Sequence, residues 1–150
     1  KLANILSTVG NADTLAKNTQ FGSCVFANKP GDGSAREQAA SCQKVLGGFA
    51  NICYEFATKR YRSNCINWGI LPFTLSPDTK FEYETGDCVF VEGIRDAIAS
   101  GREEFSAKVI RKSGKVEELT LYVKGLTDEE KEIILAGCLM NHYKIRNSRA

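Results

Sequence analysis

The chain has 150 residues, 43% of them hydrophobic and 25% charged, which is the size and composition of one soluble globular domain with its own core. Its 20 basic and 18 acidic residues are well mixed and leave a net charge of +2, which excludes a general electrostatic attraction to nucleic acid or membrane. No apolar run approaches the about 20 residues of a membrane span, and we recognise no signal peptide.

Six cysteines are spread along the chain, mostly inside apolar runs, and none of their spacings is of the CxxC type. Buried thiols usually act as small hydrophobic side chains, and we therefore predict a reducing, cytoplasmic location. The even count leaves a disulfide framework in a secreted chain as the alternative. The single histidine, His142, has no partner at ligand spacing, so the sequence predicts no metal site in this chain.

The first half of the chain alternates between helices and strands. A loose helical rhythm at the start is interrupted by Gly10, and the later segments are bounded by turn residues such as Gly47 and Gly48. In chain order we predict a helical lead-in over 2–17, a strand over 21–27, a helix over 34–46, a strand over 49–54, a helix over 57–68 and a strand over 70–73.

The second half is rich in strands. We predict paired strands over 81–84 and 88–91, a helix over 94–99, a hairpin of strands 105–111 and 116–123, and a last helix over 128–140 with a frayed tail from 143. Thr127 is placed to cap that last helix. The order of elements predicts the α/β class, with mixed sheet layers flanked by helices.

The segment most informative about chemistry is a glycine loop that opens a helix, Pro30-Gly31-Asp32-Gly33-Ser34-Ala35-Arg36-Glu37. The free N–H groups and the dipole of such a helix start attract anions. Arg36 adds a guanidinium that can hold a carboxylate with two parallel bonds, and Ser34 adds a hydroxyl. Together these features suit a small polycarboxylate.

The alternative is purely structural. Ser34 and Glu37 have the S-x-x-E spacing of a capping box, in which Ser34 is only the N-cap and Arg36 is only solvated. The loop contains neither G-K-(S/T) nor G-x-G-x-x-G, so we do not expect a phosphate-bearing cofactor.

A basic segment follows at Lys59-Arg60-Tyr61-Arg62. Its cations could steer an anionic substrate or contact RNA. No other basic cluster extends it into a groove, so we favour the alternative, one charged face of a short helix with Tyr61 packed beneath it.

These segments also carry a resemblance to a known family. The first reads Gly31-x-Gly33-Ser34-x-Arg36-Glu37-Gln38-Ala39 and resembles the G-x-G-S-S-R-E-(H/Q)-A signature of the aconitase and isopropylmalate isomerase superfamily. Residues 64–73 resemble its N-x-x-N-x-G-(I/L)-L-P block, and residues 126–137 are similar to its closing helix. The three blocks occur in the family's order.

The resemblance implies a swivelling β/β/α domain packed against a larger body that carries a [4Fe-4S] cluster, with no cluster bound by this chain. It implies a hydro-lyase (hydratase) that reversibly dehydrates a small hydroxy di- or tricarboxylate. Ser34 then falls on the serine that acts as general base, and Arg36 on the arginine that binds a substrate carboxylate. Gly33 and Ala35 would line the same pocket.

Two departures from the family pattern bear on function. Ala35 stands where the family usually has a second serine, and the family's opening strand is not recognisable before Gln20. We therefore expect residues 1–150 to be the swivel domain and a C-terminal fragment of a longer aconitase-like hydratase, inactive alone. The alternatives are a free small subunit that pairs with a large subunit, as in isopropylmalate dehydratase, and a homologue that binds carboxylates without catalysis. The near-neutral charge argues against the family's RNA-binding members.

Overall fold

The structure, a computed structural model, describes residues 2–148. Within these residues the chain forms seven helices and six strands. The helices are α1 (Leu2–Ser7), α2 (Ala12–Asn18), α3 (Arg36–Val45), α4 (Lys59–Asn67), α5 (Ile94–Ala99), α6 (Asp128–Ala136) and α7 (Leu139–Asn147). The strands are β1 (Ser23–Ala27), β2 (Gly48–Cys53), β3 (Leu71–Thr74), β4 (Cys88–Val91), β5 (Glu104–Ile110) and β6 (Val116–Tyr122).

The strands form a mixed sheet in the order β1-β2-β3-β6-β5-β4. The first three strands are parallel, and β6, β5 and β4 pair antiparallel. The two halves are joined by an antiparallel β3–β6 contact at Thr74 and Tyr122. The predicted α/β class, with a mixed sheet flanked by helices, is confirmed.

The parallel half is built from two crossovers, β1-α3-β2 and β2-α4-β3. Parallel neighbours need such crossovers because a tight turn cannot return the chain to the same end of the sheet. Helices α3 and α4 contact each other as well as the sheet. The carboxyl ends of β1 and β2 lie at the same end of the sheet, where loops 28–35 and 54–58 emerge.

The core lies on both faces of the sheet because successive residues of a strand point to opposite faces. On one face, Ile52 of β2 joins a large apolar cluster with residues such as Phe105, Val109 and Leu121. On the other face, Asn51 points toward a smaller cluster between α3, α4 and the sheet. That cluster comprises Ala40, Tyr61, Cys65 and Ile70.

Strand β1 is at one edge of the sheet and is only lightly covered. Val25 is 44% exposed, and Phe21 just before the strand is 45% exposed. The predicted helical lead-in is confirmed as two short helices, α1 and α2, separated at Gly10. No helix within residues 2–148 is long and apolar enough to cross a bilayer.

The predicted pairing of segments 81–84 and 88–91 is wrong. Strand β4 pairs with β5 instead, and residues 81–84 form a loop. Phe81 stacks on Phe26 with 3.9 Å between the ring centroids. The Asp87 carboxylate accepts hydrogen bonds from the N–H groups of Glu84 and Lys112, each at 2.9 Å. These contacts hold residues 81–84 in place although the segment does not pair as a strand.

The predicted last helix is in fact two helices. Thr127 caps α6 in a capping box with Glu130, as expected, but Gly137 adopts a left-handed conformation (φ 92°) and ends it. Helix α7 then extends through Asn147, so the prediction of a frayed tail is wrong for residues 143–147. Positions 149 and 150 lie outside the described residues. His142 is buried, with its Nδ1 3.6 Å from Glu132 Oε2.

Candidate functional site

The glycine loop follows the carboxyl end of β1, and its backbone conformation is tightly constrained at Gly31. This residue has φ 96°, a left-handed conformation that favours glycine. A Cβ at this position would also overlap the side chain of Tyr61. At Gly33, by contrast, a Cβ would meet nothing within 4 Å, so the space beside that residue is open.

Helix α3 begins later than the sequence predicts. Its N-cap is Ala35, which has no capping side chain, and Ser34 is an exposed residue that precedes the cap. Glu37 accepts a hydrogen bond from Trp68 Nε1 at 3.0 Å instead of bonding back to the helix start. The capping-box alternative is therefore wrong, because the loop places Ser34 outside the helix and Trp68 engages the glutamate.

The helix start offers several unpaired polar groups. Among the described residues the Ser34 hydroxyl has no hydrogen-bond partner, so it is available to a ligand. The first bond of the helix runs from Ala39 N–H to the Ala35 carbonyl, at 3.0 Å. The amides of residues 36–38 therefore have no partner within the helix, which makes this end attractive to anions.

Arg36 lies partly buried against the loop and uses one edge of its guanidinium to hold it. Its Nε donates to the Gly31 carbonyl at 3.2 Å, and its Nη2 donates to the Asp32 carbonyl at 3.4 Å. A guanidinium has five N–H donors, so the Nη1–Nη2 edge still offers a pair of donors. Arg36 can therefore hold the loop and a carboxylate at the same time.

The start of α4 lies beside the same loop. Thr58 caps this helix by accepting a hydrogen bond from Tyr61 N–H (3.2 Å), and its hydroxyl donates to the Gly31 carbonyl (3.0 Å). Lys59 and Arg60 follow in the first turn; both are exposed, and neither forms an ion pair within residues 2–148. The loop is thus flanked by two helix N-termini and exposed cations.

The rest of the basic segment is structural. Arg62 lies 3.6 Å from Glu130 and donates to the Lys124 carbonyl at 2.8 Å. Tyr61 is buried beneath the loop. The interpretation of this segment as a helix face with Tyr61 packed is confirmed for these two residues.

A network of buried side-chain hydrogen bonds lies beneath the site, and it was not predicted from the sequence. Asn51, only 2% exposed, donates to the hydroxyl of Tyr61 (3.1 Å) and to the sulfur of Cys65 (3.3 Å), and accepts from Gln43. Burial raises the pKa of Tyr61 to about 12 and that of Cys65 to about 11, so both stay protonated at neutral pH. The available signal was an asparagine in the middle of an apolar strand.

The residues that the structure describes do not fit a metal cluster. Across residues 2–148, no group of three or more His, Cys, Asp or Glu side chains is arranged to hold a metal ion. Cys53 and Cys65 are fully buried, and burial raises the pKa of Cys53 to about 12, which disfavours the thiolate that metals require.

Comparison with known proteins finds relatives that match most of the chain. The model of the aconitase C-terminal domain family matches residues 7–78, which include the loop and both helix starts. The chain is 33% identical to a methanogen homoaconitase small subunit from Methanocaldococcus jannaschii, with 91% of this chain and 71% of that protein covered. A 3-isopropylmalate dehydratase small subunit from Metallosphaera sedula is 32% identical, with 85% and 69% covered. The chain belongs to the aconitase family.

Longer members of the family match as well. A putative mitochondrial aconitate hydratase from Emericella nidulans is 32% identical over 114 residues, which are 74% of this chain and 14% of that protein. The chain therefore spans about one seventh of the length of such aconitate hydratases. Within this family member, Gly33, Ser34, Ala35 and Arg36 lie together at the open start of α3.

Proposed function

We propose that this chain is the swivel domain of an aconitase-like hydro-lyase, which reversibly dehydrates and rehydrates a small hydroxy di- or tricarboxylate. The proposal rests chiefly on the helix start, where the free hydroxyl of Ser34 lies two residues before a guanidinium already held by the loop. By itself the domain is inactive in this proposal.

In the forward direction the Ser34 alkoxide takes the proton from a substrate carbon next to a carboxylate, and the electron pair of that C–H bond forms the double bond. The C–O bond on the neighbouring carbon breaks, and the departing hydroxide leaves as water with a proton from solvent. A serine hydroxyl is a very poor base, so its alkoxide needs nearby N–H donors and cations. The unpaired amides of residues 36–38 and the Arg36 guanidinium supply both kinds of group.

The same groups would bind the substrate. Arg36 presents its Nη1–Nη2 edge to a carboxylate, while the backbone of Gly33 and Ala35 lines the pocket. The exposed Lys59 and Arg60 add positive potential that attracts a polyanion to this edge of the sheet. Ala35 offers no hydroxyl, so one contact to substrate is absent compared with the usual family pattern.

The partner in this proposal is a larger portion that carries the [4Fe-4S] cluster, either in the same chain or as a separate large subunit. Relatives of both arrangements support it, since matches include small subunits and long aconitate hydratases. Neither membrane nor nucleic acid takes part. The proposal includes a cytoplasmic location, with which six free thiols are compatible.

The proposal is tested with the domain assembled with its cluster-bearing portion and reconstituted anaerobically with iron and sulfide. Absorbance of the unsaturated acid is followed with citrate, isocitrate, homocitrate and isopropylmalate. We expect turnover with one of them and a fall in kcat of about 100- to 10,000-fold in Ser34→Ala. Ser41→Ala, further along the same helix, is the matched control and should retain activity.

A second candidate function is carboxylate binding without catalysis, and Ala35 is the residue that favours it. Binding of these acids without any turnover, despite an intact cluster, would support this candidate over the hydro-lyase. Ala35→Ser then restores the family's second hydroxyl. Turnover that appears only in Ala35→Ser would identify the native protein as a binding homologue.

A further inference from the structure

One backbone atom, the carbonyl oxygen of Gly31, ties the glycine loop to both helices. It accepts one hydrogen bond from Thr58 Oγ1 at 3.0 Å and another from Arg36 Nε at 3.2 Å. A carbonyl oxygen has two lone pairs, so it can accept both. Because Tyr61 packs against Gly31 on the side a Cβ would occupy, the peptide has little room to turn.

The Thr58 hydroxyl therefore has two tasks. As the N-cap of α4 it accepts from the backbone, and it also donates its own proton to the loop. Thr127 provides the natural comparison, since it caps α6 by accepting from Glu130 N–H at 3.2 Å. Within residues 2–148, the Thr127 hydroxyl donates to no other group, so the two threonines share capping but not the contact to the loop.

From this difference we infer that Thr58 is a positioning residue for Arg36: it fixes the Gly31 carbonyl, and that carbonyl orients the guanidinium toward the site. This inference rests on the proposed function, because a fixed guanidinium matters when it must meet a substrate carboxylate. An arginine that is already ordered loses less side-chain entropy when it binds. Loss of the Thr58 contact should weaken carboxylate binding most, with a smaller effect on proton transfer at Ser34, whose alkoxide keeps the N–H donors of residues 36–38.

The experiment compares Thr58→Ala, Thr58→Ser and Thr127→Ala in the assembled enzyme and in the isotope-labelled chain. The first readout is kinetic: we expect Thr58→Ala to raise KM on the order of fivefold, the worth of one hydrogen bond, with kcat changed less. The second readout is the exchange rate of the Arg36 Nε proton by NMR, which needs no turnover. We expect that proton to exchange faster in Thr58→Ala, and Thr58→Ser to restore both values.

Thr127→Ala separates positioning from stability, because it removes a cap of the same type without touching the loop. It should lower the free energy of unfolding through the lost cap, as Thr58→Ala also does, yet leave KM and the Arg36 proton unchanged. Equal behaviour of the two alanine variants in both readouts would overturn the inference. If the unaltered enzyme turns over none of the acids, the hydro-lyase proposal fails, and the exchange rate of the Arg36 proton still decides the role of Thr58.

Discussion

Around the parallel strands β1 to β3 the buried interior includes the polar side chains of Asn51 and Tyr61, whereas around the antiparallel strands it is filled by apolar residues such as Phe105 and Leu121. Hydrogen bonds are directional and fix the positions of the groups they join, while apolar contacts stabilise without specifying angles. The parallel half is also the half that carries the loop and both helix starts. The molecule thus places its candidate site where directional contacts hold it, while the apolar cluster that also includes Ile52 and Phe73 contributes stability without fixing the site.

The strongest test of this comparison removes apolar volume from the antiparallel half. Leu121 is fully buried in the main cluster, so Leu121→Ala should lower the free energy of unfolding by about 3 kcal/mol. Urea denaturation measures that loss, and Val116→Ala at an exposed position is the control. If the hydro-lyase proposal holds, the KM of the assembled enzyme should stay near its normal value; a large rise would mean that the two halves are not independent.

A smaller loss in the free energy of unfolding is expected when the buried polar network around Asn51 is disrupted. Asn51→Ala leaves Tyr61 and Gln43 without their shared partner, which should cost about 2 kcal/mol. Unlike Leu121→Ala, this variant should also change the kinetics, because Tyr61 packs against Gly31 beneath the site. Asn147→Ala, exposed near the end of α7, should behave as the unaltered protein in both urea titration and turnover.

The helices and most strands could be predicted because their signals are local. Gly47 and Gly48 follow α3, Thr127 forms the capping box of α6, and the turn 112–115 joins β5 and β6. One failure was also local, since Gly137 ends α6 inside the predicted last helix, but the wrong strand pairing has a different origin. Segment 81–84 looks like a strand, yet Phe81 is held by Phe26, fifty-five positions earlier in the chain.

The candidate site also combines features with a local sequence signal and features that depend on contacts between distant residues. The sequence indicated Ser34 and Arg36, but it placed the helix start two residues early. The Gly31 carbonyl in the loop before that start is held by Thr58, a residue 27 positions away. A pattern of neighbouring residues cannot contain a contact of that range. Asn51 is the exception, since a polar residue in an apolar strand was visible and its meaning required the fold.

High pH should weaken the parallel half in particular. Burial raises the pKa of the Cys53 thiol to about 12 and that of Cys65 to about 11, above the ordinary value of 9.0. In the unfolded chain these thiols ionise first, so the unfolded state binds fewer protons above pH 9 and stability falls as pH rises, by about 1 kcal/mol per thiol between pH 9 and 10. Urea titrations across this range measure the slope, which Cys53→Ala should reduce and the exposed Cys42→Ala should not.

The smallest loss in the free energy of unfolding is expected from removing the exposed hydrogen bond between Glu37 and Trp68. Glu37→Ala removes the hydrogen bond from Trp68 and should cost only about 0.5 kcal/mol, because the pair is exposed. Trp68 is the sole tryptophan, so its fluorescence reports on this contact directly. A shift in the emission of Trp68 in Glu37→Ala, absent in Glu132→Ala, would show that the environment of Trp68 depends on its contact with the first turn of α3.

Strand β1 has a practical consequence for work on the isolated chain. It lies at the edge of the sheet and contains neither proline nor a charged residue, and Val25 is almost half exposed although the register shifts at Ser23–Cys24. Natural proteins usually protect such an edge with lysine, proline or a bulge, because its unpaired N–H and C=O groups accept a further strand from another molecule. We therefore expect edge-to-edge association in concentrated samples, and Val25→Lys should reduce it.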